Sequence, residues 1–182
     1  MYGEDKIKTV LVTEDQIIGR CKELGAKITK DYANHSGNLL LVGLLKGSVS
    51  FMSEIIKRIE LPIHIDFMDV SSYDGTESRG DIKINKDLNT SVKGVDILLI
   101  EDIVDTGTTI FHVKELLYNK GAREVKVCSL LDKPDRRKVE VKADYVGFEI
   151  PNEFVVGFGL DYDQDYRNLP YVGVLKEEVY SK

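Results

Sequence analysis

The feature that most constrains this chain is an unbroken apolar run at residues 39–44, Leu-Leu-Leu-Val-Gly-Leu, followed at once by Lys46, Gly47 and Ser48. A short run without alternation suits a strand buried on both faces, and such strands occur in sheets covered by helices on either side. Helical spacing resumes with Phe51, Met52, Ile55, Ile56 and Ile59, and Pro62 marks the break before a β-branched run over residues 63–70. Upstream, Thr13 and Gln16 form a capping-box pattern ahead of Ile17, Cys21, Leu24 and Ile28, which predicts an amphipathic helix. Residues 95–100 predict a second buried strand, which ends in paired acids at the mouth of a helix carrying Ile110, Val113, Leu116 and Leu117 and closed by Gly121. Further strands are expected over residues 125–131, 145–148 and 154–158, with a charged turn at 132–138. This alternation predicts an α/β fold, a mostly parallel twisted sheet flanked by helices, with ligands bound beyond the carboxyl ends of the strands.

The chain has 182 residues, 42% of them apolar, and carries no repeat or linker composition, so one domain over 1–182 is expected. The polar stretch 71–90, with Gly75 and Gly80, is too long for a simple connection and is expected to be a mobile lid loop. The formal charge of −6 argues against a nucleic-acid partner, because nonspecific nucleic-acid affinity comes from clustered Lys and Arg. Cys21 and Cys128 have no metal-ligand or disulfide spacing and are expected to be buried apolar residues. The first residues lack the basic and apolar stretches of a secretory signal, and no apolar run approaches membrane-spanning length, so no membrane association and a cytoplasmic location are expected.

Chemistry concentrates in residues 98–109, Leu-Leu-Ile-Glu-Asp-Ile-Val-Asp-Thr-Gly-Thr-Thr. A helix start offers unpaired N–H groups and a positive dipole end, so Thr106, Gly107, Thr108 and Thr109 are expected to surround a phosphate, with Gly107 allowing close backbone approach. The adjacent Glu101 and Asp102 suit sugar hydroxyls or a hard cation. Together they describe a sugar phosphate site. No Gly-Lys-Thr or Gly-Lys-Ser follows the glycine, which excludes a Walker A loop, and a dinucleotide fingerprint is also missing.

This stretch resembles the phosphoribosyl pyrophosphate motif of type I phosphoribosyltransferases, and the rest of the chain up to Arg167 resembles their hypoxanthine-guanine branch. The resemblance implies that family's fold, with a small hood built from the chain ends. It also implies a purine-salvage reaction of phosphoribosyl pyrophosphate with hypoxanthine or guanine. In it, Glu101, Asp102, Asp105, Thr106, Gly107, Thr108 and Thr109 bind the phosphoribosyl group. Lys46 and Gly47, in a loop with a strained peptide, bind pyrophosphate together with Arg167, and Ser72-Tyr73 opens the lid. Lys133 donates to the six-position oxygen of the base, Phe154 stacks on the base, Val155 reads its edge, and Asp161 stands beside it, near a second magnesium. Mg2+ is the implied cofactor, with Glu101, Asp102 and Asp161 as its acids, and a homodimer or homotetramer is the implied assembly.

Taken as chemistry, an ammonium at Lys133 opposes the amino group of adenine, although a lysine in a charged turn is ordinarily a solvated one. Asp105 is the candidate general base for nitrogen 7 of the purine, while pyrophosphate leaves an oxocarbenium-like ribose that nitrogen 9 captures. His35, His64 and His112 match no functional position of that family. A xanthine-preferring enzyme and a phosphoribosyl-sensing regulator that binds nucleic acid are the alternative readings.

Overall fold

The computed structural model describes residues 3–35, 37, 39–72 and 82–181. In chain order these form β1 (Ile7–Val12), α1 (Glu14–Tyr32), β2 (Leu39–Leu44), α2 (Val49–Ile55), β3 (Ile63–Ser72), β4 (Ile82–Lys86), β5 (Asp96–Val104), α3 (Thr108–Asn119), β6 (Glu124–Asp132), β7 (Tyr145–Glu149), β8 (Val155–Val156), β9 (Val172–Leu175) and α4 (Glu177–Tyr180). The helix α1 begins as its sequence requires. Thr13 accepts from the Gln16 amide, and the Gln16 side chain accepts from the Thr13 amide.

The main sheet runs β4-β3-β2-β5-β6-β7, parallel throughout except for the antiparallel edge strand β4. Residues 39–44 are buried at every position because both faces are covered. Leu39, Leu41, Leu98, Ile100, Cys128 and Leu130 pack with Ile17, Cys21 and Ile28 of α1 and with Phe51 and Met52 of α2. Leu40, Val42, Ile97, Leu99, Val125 and Val127 pack on the other face with Ile110, Val113 and Leu117 of α3. Both cysteines are buried and unpaired. The chain leaves β2 toward β3 on one side and returns to β5 on the other, so the strand order reverses between β2 and β5. That reversal opens a crevice at their carboxyl ends, where α/β sheets bind ligands.

A second sheet, β1-β9-β8, is antiparallel and joins the two chain ends into the expected hood. Its strands β1 and β9 and the terminal α4 carry no strong local signal. Their apolar residues Ile7, Leu175 and Val179 gather around Val156 and Leu169 only through tertiary packing.

Two expectations are corrected. The stretch 71–90 is not loop throughout: Ser71 and Ser72 finish β3, and β4 pairs back on it with Val70 opposite Ile84 and Ser72 opposite Ile82. The period-two pair Ile82 and Ile84 carries that strand, and its short length amid charged residues hides it in the sequence. Tyr73 and residues 74–81 lie outside the described residues. The second correction is that β5 does not end at the paired acids. It continues through Val104, because Ile103 and Val104 remain in register with Leu131 and Asp132 of β6. No described helix is long and apolar enough to cross a membrane.

Candidate active site

The loop from Asp105 to Gly107 joins β5 to α3, and Gly107 adopts the left-handed conformation (φ 82°) that only glycine takes without strain. Thr106 Oγ1 accepts from the Thr108 amide at 3.4 Å, which draws the loop into a tight turn at the helix mouth. Glu101, Asp105, Thr106, Gly107 and Thr109 line one small cavity of about 100 Å3 there. Thr108 is half-buried beside it, with its hydroxyl 3.3 Å from that of Thr106. The N-cap residue Gly107 supplies no side-chain cap, so the amides of α3 that follow Thr108 are available to a phosphate. Arg137, which the motif reading passed over, supports this loop from below by donating to the carbonyls of Val104 (2.9 Å) and Asp105 and to the carboxylate of Asp132.

Asp102 lies between β5 and the loop after β2, and Glu101 beside it lines the small cavity at the mouth of α3. Burial pushes the Glu101 carboxyl well above the ordinary carboxylate range, with the Asp102 charge adding to the effect. Burial likewise pushes Asp102 up to about 6, against the opposing pull of the Ile103 amide, which donates to its Oδ1 at 2.8 Å. Asp102 lies directly against Gly47: a Cβ on residue 47 would overlap its carboxylate. The peptide bond between Leu45 and Lys46 is cis. Gly159, itself at φ 102°, sits so close to the Gly47 carbonyl that a side chain there would also overlap.

Beyond this crossing the charged groups converge. Lys46 Nζ donates to Gln164 Oε1 at 3.1 Å, Arg167 donates to the same oxygen at 3.2 Å and to the Gly159 carbonyl at 2.8 Å, and Arg167 pairs with Asp161 at 2.9 Å. Gln164 and Arg167 thus bring Lys46 and Asp161 into one cluster, and Gln164 is a member that motif reading did not single out. Residues Phe158, Asp163, Gln164 and Tyr166 all have positive φ, and such strain concentrates where a loop is held for a task.

A larger cavity of about 410 Å3 opens next to Asp105, lined by Ile103, Asp105, Lys133, Arg136, Asn152, Glu153, Phe154, Val155, Leu160 and Tyr180. Lys133 is only 7% exposed. Its ammonium donates to the Glu153 carbonyl at 2.8 Å, and burial, aided by the Arg136 charge and opposed by Asp105, draws its pKa below the usual lysine value. A lysine in a charged turn is ordinarily solvated, but here the Lys133 amide is tied to the Val104 carbonyl (3.0 Å) and the side chain lies inward, as its expected role beside the base requires. Arg136 Nε donates to Asp105 Oδ1 at 3.0 Å, a contact that motif spacing did not reveal. Phe154 stands 38% exposed in this cavity, and Val155 is buried at its edge. Asp161 is not among the lining side chains. Ser72 ends β3, and Tyr73 is not among the described residues.

Comparison with known proteins decides the family. The model of the phosphoribosyl transferase domain matches residues 11–163. A hypoxanthine-guanine phosphoribosyltransferase of Streptococcus agalactiae serotype V is 57% identical over 180 residues, covering 98% of this chain and 99% of that protein. One from Lactococcus lactis is 58% identical, covering 97% and 95%. The crystal structure of a hypoxanthine phosphoribosyltransferase from Staphylococcus aureus superposes with a TM-score of 0.95 at 54% identity, over 100% of this chain and 98% of that one. The chain belongs to the hypoxanthine-guanine phosphoribosyltransferases.

The donor set fits a hard divalent cation. Glu101 is buried and its neighbour Asp102 half-buried, neither with a Lys or Arg salt bridge among the described residues, a state that a hard cation relieves. Asp161 already shares its charge with Arg167, so it suits a more distant contact. The one other described group with metal-ligand chemistry, His35, Asp96 and Glu124, lies at the opposite end of β5, where Arg123 already holds both Asp96 oxygens.

Proposed function

We infer that this phosphoribosyltransferase works in purine salvage, moving the 5-phosphoribosyl group from phosphoribosyl pyrophosphate to hypoxanthine or guanine and giving IMP or GMP plus pyrophosphate. One observation carries the reading. A half-exposed aromatic ring and a buried ammonium share a cavity with a carboxylate, and that carboxylate also opens the phosphate loop. A flat base on Phe154 therefore comes within reach of Asp105 and of a ribose anchored at Thr106–Thr109.

In this proposal the amides and hydroxyls of Thr106, Gly107, Thr108 and Thr109 hold the 5′-phosphate, and Glu101 and Asp102 accept from the ribose hydroxyls. Lys46, the Gly47 amide and Arg167 receive the pyrophosphate. Magnesium, with Glu101 and Asp102 and more remotely Asp161, supplies charge neutralisation to the leaving group when bound. Lys133 donates to the six-position oxygen, Val155 reads the base edge, and Asp161 stands beyond the base toward Arg167. Asp105 Oδ1 is already engaged by Arg136, which leaves Oδ2 to take or share the nitrogen 7 proton. The polar segment that Ser72 and Tyr73 open, between β3 and β4, is proposed to cover the reacting carbon and exclude water. Two buried free thiols suit a reducing compartment, so the cytoplasm is the proposed location, with a homodimer or homotetramer as the assembly.

The test is product formation from phosphoribosyl pyrophosphate with hypoxanthine, guanine, xanthine and adenine in turn. IMP and GMP are expected, with adenine inert; adenine turning over as fast as hypoxanthine would refute the role of Lys133. Asp105→Asn should lower kcat by about 10²- to 10⁴-fold, as for loss of general-base catalysis, with phosphoribosyl pyrophosphate binding retained. Unchanged turnover would remove Asp105 from the mechanism.

A further inference from the structure

The last helix of the chain reaches the base cavity. After β9, whose Leu175 amide donates to the Phe154 carbonyl at 2.9 Å, the Lys176 amide ties back to Lys6 (2.9 Å) and one turn of α4 follows. That turn lays the ring of Tyr180 on the ring of Phe154, with centroids 4.7 Å apart and planes only 19° from parallel. Tyr162 approaches the same phenyl ring nearly perpendicularly, centroids 5.7 Å apart. Phe154 is therefore held between a stacked and an edge-on tyrosine while 38% of its surface stays open. Tyr180 itself lines the cavity shared by Asp105, Lys133 and Phe154.

An exposed phenylalanine next to a two-residue strand would otherwise sample several rotamers, and ordering it would be charged against ligand affinity. We propose that Tyr180 is a positioning residue for the purine: it backs the Phe154 ring, fixes its plane, and leaves the open face ready to stack on the base. The idea rests on the base-binding role given to Phe154 above. Tyr180 acts through Phe154 and has no part in the phosphate loop or in the Lys46, Arg167 and Asp161 cluster. Its loss therefore weakens base capture without touching phosphoribosyl pyrophosphate.

Steady-state kinetics of the full chain with hypoxanthine and phosphoribosyl pyrophosphate, for the wild type and Tyr180→Ala, Tyr180→Leu and Tyr180→Phe, test this. In Tyr180→Ala the KM for hypoxanthine should rise about three- to tenfold, the value of one aromatic pair, with kcat and the KM for phosphoribosyl pyrophosphate within about twofold. Tyr180→Phe should restore the wild-type KM, because the ring and not the hydroxyl is needed. Tyr180→Leu, which keeps apolar bulk in the hood but offers no flat face, should not. An unchanged hypoxanthine KM in Tyr180→Ala overturns the proposal. So does a lowered KM, which would mean that the tyrosine competes for the place of the base. An equal rise in both KM values, or full rescue by leucine, would reduce Tyr180 to hood packing and also overturn it. A wild-type protein that makes no IMP would instead overturn the function itself, and with it this role.

Discussion

Gly47→Ala tests the crossing of the two loops at the site, because the glycine has no spare volume. A Cβ at residue 47 would lie 2.6 Å from the carboxylate carbon of Asp102 and 3.3 Å from its Oδ1, with Oδ2 nearer still, where ordinary contact needs 3.4–4 Å. One partner must retreat by about 1.8 Å to bring the nearest carboxylate oxygen into ordinary contact, and the loop has little room to do so, since a Cβ on Gly159 would already overlap the Gly47 carbonyl. Asp102 must give way, losing its place beside Glu101 and its bond from the Ile103 amide. A displacement of about 1 Å in a reacting constellation costs about 10²-fold in rate, whereas overpacking costs about 1–3 kcal/mol of stability. For a chain of this size that stability loss lowers Tm by about 2–12 °C, leaving the protein folded at assay temperature. The expected outcome is a loss of about 10²-fold in kcat/KM for phosphoribosyl pyrophosphate, measured at saturating hypoxanthine, alongside a cooperative thermal transition. A value within threefold of wild type, with the substitution verified, would refute the account of this crossing.

Other consequences concern buried acids. Glu101→Gln should raise stability in metal-free buffer at pH 8 while lowering turnover. A carboxyl whose folded pKa is raised is penalised once the unfolded chain has ionised, so wild-type stability falls as pH climbs above the ordinary value of 4.5. Denaturant titrations of both proteins at pH 4.5 and pH 8 should show the gap opening with pH; a variant less stable at pH 8 would contradict it. Asp96 behaves oppositely. Hydrogen bonds from Arg123, outweighing burial, lower its carboxyl from 3.8 to about 2. The stabilisation, about 2 kcal/mol, is fully present above pH 3.8 and is lost as pH falls through about 2. Acid unfolding of Asp96→Asn should lack that part of the pH slope, and identical slopes would exclude the ion pair as its source.

Much of this architecture is readable residue by residue. The capping box at Thr13 and Gln16, the buried run 39–44 and the helix spacing of Ile110, Val113 and Leu117 are short-range patterns, and each element forms where its pattern lies. The turn proposed to hold the phosphate is singled out for the same reason, since its acids, glycine and threonines are consecutive. The strand β4 was missed because two isoleucines among lysines give too weak a signal, and β9 and α4 because nothing local demands them. Arg136 was overlooked within a charged turn that looks solvated; its partner Asp105 is 31 residues away.

The alternation of α1, β2, α2, β3, β5, α3 and β6 and the contiguity of residues 101–109 were determined by the sequence alone, because periodicity and contiguity act over a few residues. The tertiary structure alone decided that Lys133 is desolvated, that Asp102 meets Gly47, and that Tyr180 backs Phe154. Those relations join segments that are far apart along the chain. They exist only once the strand order reverses between β2 and β5 and the two chain ends close into one sheet over the crevice.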